Sequence, residues 1–505
     1  MARGELLATR TANAWAHANG NGFSIQLETV PLDGRVALRI AAKKTPCQLT
    51  RNRLKLEQRM RIDRLTIENF KKFTKQDFDL HPKFTLLVGE NGAGKTTFLD
   101  ALAVASGIWL VEAPDTTLYN SGRNILQTEV RLEPEGRGDR IQFSERRPVV
   151  IRATGKIGDH ENVEWSRQIH ADGKRTSNVK AKEALAYVKE IYARDSAGER
   201  VLCPVLAYYG AGRAWLPSNE RIPKESKANG PARRWAAFYD CFSERIRFAE
   251  LQKWFLSETL AAGNRGGQMR PGFEVVKRAI LRCVPDAENM WYDFSDRKQI
   301  VFTIAGNPQP IENLSAGQRM MVCLIADLAI KVVTQNAHLL PPDELGPGDE
   351  LPKVLQETPG VVLIDELDVH LHPRWQRRVA TDLKTTFPSI QFICTSHSPQ
   401  VIGEVSRDEV RLLTSEGLKR PPVALGADSN WILDHVMEGS TSETKPARTL
   451  QNLAEEALAE GKLELAGEKL RELRQLLDGD TGELVRLESS LHSLEVLAKE
   501  SAKGD

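Results

Sequence analysis

The chain is 505 residues long, with 41% apolar and 27% charged residues, enough for roughly two or three domains with real cores. A net charge of only +1 excludes a polycation built to coat nucleic acid. Its six cysteines form no C-x-x-C pair, which argues against a zinc ribbon or disulfide framework and for reduced thiols. No apolar run of about 18 residues offers a membrane span, and the N-terminus lacks the apolar core of a secretory signal, so a cytoplasmic chain is expected.

Residues 1–59 carry ten Lys/Arg against four acids and show little sustained periodicity. They read as a poorly ordered basic leader, with Met60 as an alternative start, because a clean strand opens at "MRIDRLTIENFKKF". Strands are predicted over 62–69, 75–80 and 84–88, then a helix over 95–106. Antiparallel strands with Gly-rich turns are expected over 127–133, 140–152 and 163–170. A helix near 179–193 leads into the apolar strand "VLCPVLAYYG".

Residues 213–235 are basic and rich in Pro, Asn and Ser, and read as an exposed loop. Helical patterns follow over 236–260 and 271–283, then a hairpin-like pair over 290–295 and 299–304. Residues 338–359 form a Pro/Gly/acidic linker. Strands over 361–365 and 390–395 flank a helix as a βαβ unit, and 449–500 carry two or three amphipathic helices.

The firmest motif is "FTLLVGENGAGKTTFLD", where Gly89-x4-Gly94-Lys95-Thr96 lies between an apolar strand and a helix. Its glycines let backbone N–H groups turn inward around phosphate oxygens at a helix N-terminus. The nucleotide-facing set is Gly89, Asn91, Gly92, Gly94, Lys95, Thr96 and Thr97. Lys95 would reach the β- and γ-phosphates of ATP, and Thr96 would ligate Mg2+.

The second motif is "GVVLIDELD", a buried strand delivering Asp365 and Glu366 to its C-terminal edge. Asp365 would hold Mg2+ through water, and Glu366 would deprotonate the attacking water. Apolar strands capped by acids are common alone; beside a phosphate loop the catalytic reading prevails. In "FICTSHSPQ" another apolar strand ends at His397, where a side chain could sense the γ-phosphate. A lone histidine at a strand end is more often structural. His370 and His372 have H-x-H spacing, but no third ligand stands out to make a metal site.

Phosphate loop, LSAGQR, IDELD and TSHS, in that order, resemble the ABC-type ATPase heads that include SMC proteins, RecF and RecN. The likeness covers roughly residues 60–440 and implies an α/β fold: a mixed P-loop sheet flanked by helices, an antiparallel β subdomain, a helical insertion and C-terminal helices. It makes LSAGQR the signature motif, with Ser315, Gly317 and Gln318 capping the γ-phosphate held by a second copy. Leu367-Asp368 becomes the D-loop and His397 the switch histidine. It also puts Phe70 or Lys71 near the nucleotide.

Within that group "PVLAYYGAGRAW", "IDELDVHLHPRWQ" and "LGADSNWILDHVM" resemble the PtuA-like ATPases of the Septu and retron anti-phage systems. Those work with a separate HNH nuclease and, in retrons, with a reverse transcriptase and its DNA product. One departure is that Tyr208-Tyr209-Gly210-Ala211-Gly212-Arg213 stands where SMC-like heads carry a glutamine.

The implied organisation is a leader over 1–59, an N-terminal lobe over 60–212, a helical cap over 213–285, a C-terminal lobe over 286–440 and a helical tail over 441–505. The insertion lacks the long heptad runs of an SMC coiled coil. Arg213, Arg221, Lys224, Lys227, Arg233 and Arg234, with Trp215 and Trp235 at the ends, would suit DNA or RNA, but a plain solvated loop is the better reading.

Three functions are therefore weighed. The first is an ATP-driven, homodimeric switch governing a separate HNH nuclease. The second is a RecF-like repair ATPase. The third is an OLD-type nuclease, disfavoured because the residues after Ser398-Pro399 show no apolar strand ending in an acidic cluster.

Overall fold

In the strand Phe84–Gly89, Phe84, Leu86 and Val88 enter one core while Leu87 enters another. The same split divides Val362 and Ile364 from Val361 and Leu363, and Phe392 and Cys394 from Ile393. Side chains alternate across a strand, so a strand apolar at nearly every position must be covered on both faces. The structure is a computed structural model that describes residues 25–32, 35–42, 60–115, 122–137, 140–214, 234–293, 299–342, 345, 350–414, 417–437, 446–477 and 482–501.

These strands form a six-stranded sheet in the order Val205–Tyr209, Gly360–Ile364, Ile390–Thr395, Phe84–Gly89, Val410–Thr414, Gly417–Lys419. The first five run parallel and the last is antiparallel, so the sheet is mixed, as expected. One face carries the helix Lys95–Ser106 and a four-stranded antiparallel sheet ordered Phe73–Asp79, Met60–Phe70, Val149–Ile157, His160–Ile169. The other carries Ala316–Gln335 with Phe248–Gly263, Pro271–Cys283 and Pro373–Thr386. The insertion helices thus share a core with the signature helix.

Several boundaries differ from expectation. The run 140–152 is broken into Arg140–Arg146 and Val149–Ile157 by Pro148, which has no N–H for a ladder. The helix expected from 236 begins at Phe248, after a 3-10 turn at Trp235–Phe238. The hairpin near 290 gains a third strand, Asn307–Pro310. The tail holds three helices, Pro446–Ala459, Leu463–Leu477 and Gly482–Ser501.

Residues 1–57 form a unit of their own. There Ile25–Leu32 pairs antiparallel with Arg35–Ala42, where the sequence reads as a poorly ordered leader. The Asp33-Gly34 pair between them is a hairpin signal in the sequence.

Candidate active site

Because the strands are parallel and adjacent, their C-terminal ends deliver four loops to one edge of the sheet, where ligands bind in open α/β folds. Phe84–Gly89 runs into the phosphate loop, which needs Gly92 at φ 76° and Gly94 at φ 112°. Those are left-handed values that glycine adopts freely. A Cβ on Gly94 would also lie 2.7 Å from the Phe73 ring.

Lys95 is buried, with its Nζ donating to the carbonyls of Gly89 and Glu90 at 2.8 and 2.9 Å. Burial lowers its pKa, and Asp365, Glu366 and Asp368 oppose that shift. Asn91 lies exposed on the loop and Thr97 half-buried in the first turn of the helix.

The two residues expected to hold Mg2+ meet: Thr96 Oγ1 donates to Asp365 Oδ2 at 2.8 Å. Asp365 Oδ1 accepts from Thr395 Oγ1 at 2.6 Å, and its backbone N donates to the Tyr209 carbonyl at 2.8 Å. Thr395 Oγ1 also accepts from the Glu366 backbone N at 2.7 Å. That last bond helps hold Glu366 at φ 48°, an uncommon value outside glycine. Thr395 is fully buried and anchors both acids, yet the sequence reading passed over it.

Asp368 Oδ1 accepts from Ser396 Oγ at 2.6 Å and from the His397 backbone N at 3.2 Å, tying the turn after Glu366 to the end of the strand Ile390–Thr395. Gln376 completes the turn, donating to the Asp368 and Leu371 carbonyls at 3.4 and 2.9 Å and accepting from Ser398 Oγ at 2.7 Å. Burial lowers the His397 pKa, as does nearby Lys95, against the opposing pull of Asp368, Glu366 and Asp365, which favours the neutral ring. His372 caps the helix Pro373–Thr386, its Nδ1 accepting from the Arg374 N at 3.3 Å.

Ser315 is the N-cap of the helix Ala316–Gln335. Its Oγ accepts from Gln318 N at 3.2 Å, and Gln318 Oε1 accepts from Ser315 N at 3.0 Å, a capping box. Gly317 is buried against the D-loop turn, where an added Cβ would lie 2.4 Å from the His370 carbonyl.

Two expectations are corrected. Phe70 is fully buried in the core, and Lys71 pairs with Asp100 at 2.5 Å and Glu129 at 3.4 Å rather than reaching a nucleotide. The next two residues meet the phosphate loop instead: Lys72 Nζ donates to the Gly92 carbonyl and Phe73 packs under Gly94. The described end of the basic stretch also turns inward. Trp235 is 6% exposed among Tyr192 and Phe238, and Arg234 pairs with Asp195. Residues 215–233, which hold Trp215, Arg221, Lys224, Lys227 and Arg233, lie outside the described residues, as does the Arg213 side chain.

At the end of the strand Val205–Tyr209, Tyr209 Oη donates to Asp327 Oδ2 at 2.7 Å. Tyr208 points to the opposite face, toward the phosphate-loop helix core, and its buried hydroxyl has no hydrogen-bond partner.

Comparison with known proteins agrees with this geometry. Residues 64–258 match the family described as "AAA domain", and residues 305–403 match "AAA domain, putative AbiEii toxin, Type IV TA system". The chain is 25% identical to the Retron Ec83 probable ATPase of Escherichia coli over 444 residues, covering 75% of this chain and 76% of that protein. It is 23% identical to the Retron Vc95 probable ATPase of Vibrio cholerae over 396 residues, covering 70% and 74%. Septu protein PtuA of Bacillus mycoides is 25% identical over 364 residues, covering 70% of this chain but 40% of that longer protein. No helix among the described residues is long and apolar enough to cross a membrane.

Proposed function

We propose, from this chain's kinship with the retron and Septu ATPases, that it binds and hydrolyses ATP as the switch subunit of an anti-phage defence complex. The observation that carries the reading is the Thr96–Asp365–Thr395 contact, which joins phosphate loop, acidic strand end and switch segment at one sheet edge. A hydroxyl and a carboxylate are hard oxygen donors suited to Mg2+, which when bound would neutralise charge on the phosphates.

The remaining roles belong to the chain's own groups. The phosphate-loop N–H groups and Lys95 hold the β- and γ-phosphates. Glu366, held by the Thr395 bond, takes the proton from the attacking water. His397 presents a neutral ring toward the γ-phosphate. Ser315 and the N–H groups near Gly317 offer a helix N-terminus to the γ-phosphate of a second copy, so that two chains form two composite sites.

The output is control of a separate HNH-type nuclease, with a reverse transcriptase and its DNA as further partners in a retron setting. Glu366→Gln tests the core of this. It should bind ATP normally, lose turnover and accumulate as a nucleotide-bound dimer in size-exclusion chromatography. Hydrolysis close to the wild-type rate would remove Glu366 as the base. Co-purification from the native operon, with mass spectrometry, tests the nuclease; a repair-protein partner in its place would favour the RecF-like reading.

A further inference from the structure

Away from the phosphate loop, a cavity of about 890 Å3 opens between the helix Phe248–Gly263, the start of Pro271–Cys283 and the end of Ala316–Gln335. That size is within the range of small-ligand sites, roughly 300–1,000 Å3. Neither the phosphate loop nor Asp365, Glu366, His397 or Ser315 lines it.

Gln335 in its lining is fully buried, and neither its Oε1 nor its Nε2 has a hydrogen-bond partner. The Nε of Arg234, also in the lining, is buried and unpaired as well. Among the described residues nine buried side-chain atoms lack a partner, and these make three of them. Two of the residues that carry them, Gln335 and Arg234, border this one cavity, where a ligand that both donates and accepts would suit them.

The other walls define the rest of that occupant. Trp254 supplies an extended aromatic surface, backed by Phe273 in a near-parallel stack at 6.3 Å. Arg265 and Arg270 line the cavity beside Arg234, which pairs with Asp195; among the described lining residues the one acid is Glu258, whose Oε1 lies 3.2 Å from Arg270 Nη1. The helix Pro271–Cys283 starts there without a side-chain cap, so the positive end of its dipole borders the cavity at Gly272. A planar group, a two-way hydrogen-bonding edge and a negative charge are together the features of a phosphorylated nucleobase.

We propose that this cavity is a second ligand site, for a nucleobase bearing a phosphate. The base lies against Trp254 with its edge toward the Gln335 amide, and the phosphate lies at Arg265, Arg270 and Gly272. A free nucleotide and a nucleic-acid strand both carry this chemistry, and the test separates them.

The full-length protein is dialysed to equilibrium against radiolabelled 5′-monophosphates of adenosine, guanosine, cytidine and uridine, and against a 5′-phosphorylated oligothymidylate. Monophosphates lack the β- and γ-phosphates that Lys95 reaches, so the phosphate loop contributes little to the signal. Saturable binding of a monophosphate is expected, unchanged in Lys95→Ala and weakened roughly tenfold in Arg265→Glu, a surface change that leaves the core intact. Gln335→Leu should weaken it further without lowering stability.

Binding of the oligonucleotide alone, with the same dependence on Arg265, would support the site and identify a strand as its occupant. Absence of saturable binding by every probe would overturn the proposal. So would equal displacement by inorganic phosphate, or indifference to Arg265→Glu. ATP binding measured alongside on wild-type protein reports on the phosphate loop, so failure of one reading is distinguishable from failure of the other.

Discussion

Replacing Thr395 with valine keeps its shape and removes one hydroxyl, and two short hydrogen bonds go with it. One is the bond from the Glu366 N at 2.7 Å and the other the bond to Asp365 Oδ1 at 2.6 Å. A neutral bond of this kind contributes about 1 kcal/mol and one to a carboxylate about 2 kcal/mol, so Thr395→Val should lower stability by up to about 3 kcal/mol, less the strain that relaxes. The backbone of Glu366, at φ 48°, sits in a region that costs roughly 1–3 kcal/mol and would relax once its anchor is gone. A shift of about 1 Å in a catalytic group costs on the order of a hundredfold, so turnover should fall by about that factor while ATP affinity changes little. Urea unfolding, steady-state hydrolysis and ATP titration measure the three quantities, and Thr395→Ser, which keeps the hydroxyl, should restore most of each. A valine variant with wild-type turnover would refute Thr395 as the anchor of the base.

Gly317→Ala would put a Cβ 2.4 Å from the His370 carbonyl. It should destabilise the protein by about 1–3 kcal/mol in chemical denaturation and cut hydrolysis, and an alanine variant of wild-type stability would show that the D-loop gives way. Ser315→Arg should abolish hydrolysis and ATP-dependent dimerisation while sparing nucleotide binding by the monomer; an active dimer would remove the signature from the site. Burial lowers the pKa values of His81, His338 and His397 below the ordinary histidine value. The unfolded chain then takes up protons first, so stability should be steady above about pH 6.5 and fall as pH drops below it. A pH–stability profile flat from neutral to mildly acidic would contradict those burials.

The sheet strands and the phosphate-loop helix were legible because each pairs a strong apolar pattern with a glycine or acidic boundary. The helix Lys95–Ser106 lies where the sequence puts it. The strand Arg140–Arg146 was misjoined because the pattern on either side of Pro148 reads as continuous β. In the site, Lys95, Thr96, Asp365 and Glu366 stand in local motifs, and so could be found. Thr395 and Gln376 act through partners distant in sequence, and nothing local to either residue marks it. Lys72 and Phe73 were missed by a short step along the chain, because alternation alone does not say where a strand stops and turns over the loop.

The Gly317 contact carries a mechanical implication. Its neighbour, the His370 carbonyl, belongs to the same tight turn as Asp368, whose carboxylate grips Ser396 and the His397 backbone. In the proposed pair, Gly317 serves one composite site and His397 the other. A few closely packed residues would thus form a strut across each subunit, from the rim of one nucleotide to the sensor of the next. Loss of phosphate at one end would tug on the other, and the two sites would fire in alternation like pistons on a common crank, giving ATP-saturation curves that bend away from a simple hyperbola.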